Sequence, residues 1–129
     1  MLALQGKKIL LGVSGSIAAY KSPILVRLLI KSGADVKVVL TPSALDFVTP
    51  TTLSTLSKNP VNSSFTEIKE EKDNPEWNNH VELSLWADFI IVAPATSNTI
   101  SSMASARCDN LLLACYLSVS YTHLRAHET

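Results

Sequence analysis

The sequence predicts an α/β protein: a parallel sheet with helices on both faces. Three observations carry this. Two short apolar runs, Lys8–Val13 and Asp35–Leu40, flank a stretch of helical spacing from Ile17 to Ile30, the strand–helix–strand order of a right-handed parallel crossover. Their Ile-Leu-Leu and Val-Val-Leu content fits strands covered on both faces. A third run, Asp88–Val92, empties into Ala93-Pro-Ala-Thr-Ser-Asn-Thr99, a loop of hydroxyls and one amide of the kind that open parallel sheets carry at the carboxyl ends of their strands. Together they describe a three-layer Rossmann-like (flavodoxin-like) fold.

Taken in order, strand one is Lys8–Val13 and runs into Ser14-Gly15-Ser16. The helix that follows stops at Lys31-Ser32-Gly33, where glycine supplies the left-handed residue. Strand two, Asp35–Leu40, comes at once, and Thr41-Pro42-Ser43 leads to a short helix through Ala44–Val48. Thr49-Pro50 opens another helix to about Ser57, because proline in a first turn gives up no hydrogen bond, and Asn59-Pro60 ends it. Residues 62–79 are polar, with Glu67–Asp73 charged and Asn74-Pro75 breaking any helix. They read as a solvated surface loop, with an active-site flap as the functional alternative. His80–Ala87 is a short helix with Val81 and Leu85 facing inward and Leu83 as a further candidate. After strand three and the hydroxyl loop, helices are expected over Ile100–Ala106 and Asp109–Leu117.

The chain of 129 residues amounts to one small domain. Its formal net charge is zero without a basic stripe, which leaves no electrostatic footprint for nucleic acid. No run approaches the roughly 18 apolar residues that span a membrane, and the cytoplasm is the expected compartment. Cys108 and Cys115 stand seven apart without a Cys-x-x-Cys or metal-ligand pattern, so they read as structural thiols and no metal is expected. Residues 119–129 break the apolar pattern abruptly and look like a translated sequencing adapter; a genuine polar tail is the alternative. The fold reading therefore covers residues 1–118, a C-terminally truncated sheet.

The turn after strand one narrows the ligand. Gly12-x-x-Gly15-Ser16 is not the dinucleotide fingerprint, since positions 14 and 17 are serine and isoleucine, and no Gly-Lys-Ser/Thr triplet marks a P-loop. Strand two ends in Leu40-Thr41-Pro42-Ser43 without the acid that holds a dinucleotide's ribose, which argues against NAD. The Thr41 and Ser43 hydroxyls favour an anionic group there. Gly15 admits close backbone approach, Ser16 offers a hydroxyl and an N–H, and the following helix start adds partial positive charge, a set suited to a single phosphate. A helix cap with no ligand is the bland alternative. His80, the lone histidine outside the suspect tail, is suited to proton transfer near neutrality; capping a helix is its structural alternative.

Gly12-Val-Ser-Gly-Ser-Ile-Ala-Ala-Tyr-Lys21, His80 before Trp86-Ala-Asp88, Ala93-Pro-Ala-Thr-Ser-Asn-Thr99 and Cys108-Asp-Asn-Leu-Leu112 together resemble the flavin-dependent cysteine decarboxylases. Among these the match is closest to the enzymes that act on phosphopantothenoylcysteine in coenzyme A biosynthesis, and it covers residues 5–118. The resemblance implies noncovalent FMN. Its phosphate would be held by Gly15, Ser16, Ile17 and Ser43, beside Thr41, and its ring contacted by Pro94, Ala95, Thr96, Ser97 and Thr99. The substrate would be a small thiol bearing a carboxylate, oxidised to a thioaldehyde so that carbon dioxide can leave, the electrons then returning to give phosphopantetheine. His80 would move a proton at the thiol or enethiolate, and Asn98 would orient the substrate carboxylate. A neutral amide suits that task, since a fixed cation would stabilise the carboxylate and oppose its loss. The resemblance also implies a trimer-based homo-oligomer.

The chain departs from the family's pattern in places. Ala106 stands where glycine is usual and Arg107 where an apolar residue is usual. The downstream Pro-x-Met-Asn-x-x-Met-Trp segment and a cysteine-bearing flap are absent from the sequence, so weak flavin binding and no turnover are expected of the chain alone. Two rival readings remain at this level: a flavin prenyltransferase, and a catalytically silent flavin-binding regulatory subunit.

Overall fold

The computed structural model describes residues 3–62, 79–108 and 110–118, the side chains at 79–81 excepted. Three parallel strands, β1 (Lys8–Val13), β2 (Asp35–Leu40) and β3 (Phe89–Val92), form one sheet in the order β2-β1-β3. Helices α1 (Ser22–Lys31), α2 (Pro50–Ser57), α3 (Asn79–Trp86) and α4 (Ser97–Ala104), with α5 over residues 111–118, surround it. The flavodoxin-like α/β arrangement expected from the sequence is present. The expected loop or flap falls mostly on residues 63–78, and the adapter-like segment on 119–129; both stretches lie outside the described residues.

β1 and β2 match their sequence bounds because nothing competes with their apolar runs. The helix between them differs from expectation. Pro23, at the second residue of α1, has no N–H and would clash with the carbonyl four residues back, so the α-helical ladder cannot extend backwards through it. Ile17–Lys21 tightens into a 3-10 turn instead. At the other end Gly33, at φ 95, closes α1: its N–H donates to Ile30 O at 3.0 Å and that of Ala34 to Leu29 O at 3.1 Å. The predicted helix through Ala44–Val48 is a 3-10 turn, Pro42–Asp46.

The sheet buries two faces. Ile9, Leu11, Val13, Val36, Val38 and Leu40 point to one, under α1 and α2. Leu10 and Val39 point to the other, beneath Leu83 of α3 and Leu111, Leu112 and Cys115 of α5. A Cβ built on Gly12 would stand 2.2 Å from Leu112 Cδ1, so glycine here leaves the space that the Leu112 side chain of α5 fills over β1. Leu85, expected inward, is 71% exposed, whereas Leu83 is buried. At 100° per residue the two positions lie about 200° apart on the helix, so both cannot face the sheet. β3 pairs on one side only among the described residues and is less covered, with Phe89 half exposed.

Candidate functional site

The two polar loops lie side by side because their strands do. Beyond the strand ends the β1–β3 ladder continues: the Ala93 N–H donates to Gly12 O at 2.9 Å and that of Ser14 to Pro94 O at 3.2 Å. On the opposite side the Thr41 N–H donates to Val13 O at 3.0 Å, bringing the loop after β2 against the same turn. Gly15 sits in that approach. A Cβ on it would lie 2.5 Å from Ser43 Oγ and 2.7 Å from the Ser43 carbonyl carbon, a backbone contact that cannot swing away. The turn and Ser43 thus make a cradle that only glycine leaves open.

Ser16 precedes the 3-10 turn in extended conformation, and its side chain makes no capping hydrogen bond, which leaves the hydroxyl for another acceptor. The first N–H groups of such a turn have no acceptor within it. Ile17, first in the turn, is 77% exposed. Thr41 is buried with Oγ1 3.3 Å from Ser43 Oγ, while Ser43 itself faces outward. Neither this turn nor α4 carries an acidic residue in its first turn, so an anion at their starts meets only partial positive charge.

The hydroxyl loop divides its residues between shape and surface. Thr96 caps α4, accepting the Thr99 N–H at 3.2 Å, while its hydroxyl donates to Thr99 Oγ1 at 3.0 Å; Thr99 is buried. This cap starts α4 at Ser97 rather than at the predicted Ile100, and the helix ends at Ala104 rather than Ala106. Ala95, Ser97 and Asn98 are exposed, and Pro94, after a cis peptide bond, is partly exposed. Ala106 adopts φ 57, the left-handed conformation that glycine takes without steric cost.

His80 is the second residue of α3. Leu83, one turn on, packs against Leu10 and Val39 at mid-sheet, and the Asp88 N–H donates to Lys8 O at 2.7 Å at the start of β1. α3 therefore runs opposite to the strands, and position 80 lies towards their carboxyl ends, the end that carries both loops. Its side chain is outside the described residues.

Ser14 was missed at the sequence level. It is 1% exposed; its hydroxyl donates to Pro94 O and accepts the Thr96 N–H at 3.0 Å. A signal existed: Ser14 continues the fully buried run of β1, and a buried hydroxyl needs partners. Among the described residues no cluster of three metal-ligand side chains occurs, and no helix is long and apolar enough to cross a membrane.

An open parallel sheet with a glycine cradle and a capped hydroxyl loop at adjacent strand ends defines an α/β protein of the class that places its ligands in the crevice beyond the carboxyl ends of the strands. The chain belongs to the Flavoprotein family, whose model matches residues 2–123. It is 43% identical over 120 residues to the coenzyme A biosynthesis bifunctional protein CoaBC of Vibrio cholerae, covering 93% of this chain and 29% of that one. It is 45% identical over 113 residues to a probable phosphopantothenoylcysteine decarboxylase of Streptococcus mutans, covering 88% of this chain and 61% of the relative. Among solved structures, a PPC decarboxylase mutant complexed with pantothenoylaminoethenethiol superposes with a TM-score of 0.76 at 31% identity, over 90% of this chain and 62% of that one. The FMN-dependent cysteine decarboxylase TvaF gives a TM-score of 0.77 at 27% identity, over 88% of this chain and 67% of that one. The chain thus spans less than two thirds of the length of either curated relative.

Proposed function

We propose that this chain is the flavin-binding part of an FMN-dependent decarboxylase acting on 4'-phosphopantothenoylcysteine in coenzyme A biosynthesis. The carrying observation is the Gly15–Ser43 cradle, set beside the hydroxyl loop by adjacent parallel strands. The residues fit the cofactor's phosphate: Gly15, Ser16 and Ile17 supply backbone N–H groups, and Ser16 and Ser43, with Thr41 behind, supply hydroxyls. Pro94, Ala95, Thr96, Ser97 and Thr99 shape the adjoining wall for the ring. When bound, the flavin supplies the redox chemistry that activates the substrate carboxylate for departure. Asn98, exposed at the start of α4, orients that carboxylate through a neutral amide. His80 transfers a proton at the substrate thiol.

A trimer-based assembly forms part of the proposal. Ile17, Tyr20, Ile24 and Leu28 make an exposed apolar stripe along the 3-10 turn and α1, with Leu45 and Phe47 exposed nearby, a surface suited to a second copy. The proposed compartment is the cytoplasm. The test is a titration of the purified chain with FMN by flavin fluorescence, then release of carbon dioxide from carboxyl-labelled substrate by the intact enzyme, since no turnover is expected of this chain alone. His80→Asn in the intact enzyme is expected to keep FMN affinity and lose release. Undiminished release removes His80 from the mechanism, and an intact wild-type protein that binds FMN but releases nothing from substrate is a flavin-binding subunit instead.

A further inference from the structure

Ser14 takes no part in the chemistry above, yet its hydroxyl is committed to the other strand's loop. It donates to Pro94 O, accepts the Thr96 N–H at 3.0 Å, and its own N–H adds a bond to Pro94 O at 3.2 Å. Thr96 in turn holds Thr99 through both the N–H and the hydroxyl. A continuous set of hydrogen bonds therefore leads from the residue before Gly15 to the first turn of α4, which carries Asn98. Ala95, Ser97 and Asn98 face outward and β3 is less covered than β1, so among the described residues these bonds carry much of the loop's hold beyond Ala93.

We propose that Ser14 is a positioning residue that fixes the hydroxyl loop, and through Thr96 the place of Asn98, relative to the phosphate turn. Its geometry stands by itself; its consequence for ligand binding rests on the flavin reading of the site. Alanine at this position leaves Pro94 O with the Ser14 backbone N–H but strips the Thr96 N–H of its acceptor. A partly buried donor without a partner is costly enough to move the loop rather than persist. Ser14 thus makes the two halves of the site answer to each other.

The test has two readouts on the purified chain: amide hydrogen exchange in the flavin-free protein, resolved by residue, and FMN affinity by fluorescence titration. Ser14→Ala is expected to speed exchange at Thr96 and Thr99 roughly tenfold, the scale of one lost hydrogen bond, and to weaken FMN binding by about the same factor. Leu11 and Val38 amides, in the β1–β2 core, are expected to stay within about twofold of wild type. Equal acceleration at all four amides marks general destabilisation and overturns the proposal. So does an unchanged FMN affinity beside a loosened Thr96. A wild-type protein that binds no FMN removes the proposed function, and exchange then decides alone: slow exchange at Thr96 in Ser14→Ala contradicts positioning, and fast exchange confined to Thr96 and Thr99 upholds it. Ser14→Cys, of similar volume and much weaker as an acceptor, carries the same expectation where the alanine variant fails to fold.

Discussion

Leu10, Leu11, Val36 and Val38 on β1 and β2 are fully enclosed, whereas Phe89 on β3 is half exposed and Ile90, Ile91 and Val92 are only partly covered. The first pair of strands is a closed crossover: α1 and α2 cover one face, Asn59 Nδ2 donates to Asp35 Oδ1 at 2.9 Å and to Val36 O at 2.7 Å, and Asn62 bridges to Val39 along the outer edge of β2. Burial holds that half. The β3 side holds its loop by hydrogen bonds from Ser14 and Thr96. The two parts of the proposed site are therefore held differently, the proposed phosphate cradle by the well-buried half and the proposed ring and substrate wall by the less buried one.

If that division holds, core truncation should separate the halves most strongly. Leu11→Ala is expected to cost about 2–5 kcal/mol, as a fully buried leucine does. Ile91→Ala, at a partly buried position against the same cluster, is expected to cost about half as much, read from urea midpoints of both variants. Equal costs would show that β3 is as well supported as β1. A smaller and opposite change is expected on the β3 side: Ala106→Gly relieves a residue held at φ 57 and should stabilise by about 0.5–1 kcal/mol in the same assay. The smallest effect at neutral pH concerns α5. Burial beneath the sheet, with Cys108 as the lesser cause, pushes the Cys115 thiol up to about 12 from 9.0. Between those values the folded chain keeps a proton that the unfolded chain has lost, so stability should fall as pH rises above 9.0 and be unaffected below it. Cys115→Ala should flatten that fall, and in the native protein only the exposed Cys108 should react with a thiol reagent.

Much of this architecture was legible in the residues. β1 and β2 announced themselves because their apolar runs are continuous and Gly33 punctuates the helix between them. The start of α1 was obscured because helical periodicity from Ile17 masks what Pro23 does to the hydrogen-bond ladder four residues back. The start of α4 is hidden in the sequence because Thr96 reads equally well as a ligand residue and as a cap, and only the structure shows it accepting the Thr99 N–H. The orientation of α3 required knowing which leucine meets Leu10 and Val39, a long-range contact that short-range periodicity over one brief helix does not encode. Ser14 was hidden for the same reason, its partners being Pro94 and Thr96 on a different strand. Both loops stand out in the sequence as ligand-type segments at strand ends; the hydrogen bonds that join them do not.

The central claim is that the Gly15–Ser43 cradle and the hydroxyl loop form one flavin site. It is tested most directly by titrating FMN into the wild type and Gly15→Ala side by side, with circular dichroism confirming that both are folded. The account predicts saturable quenching of flavin fluorescence in the wild type and at least about tenfold weaker binding in Gly15→Ala, because the new methyl group must displace the Ser43 backbone. Quenching that never saturates in the wild type, or the same affinity in both, would contradict it.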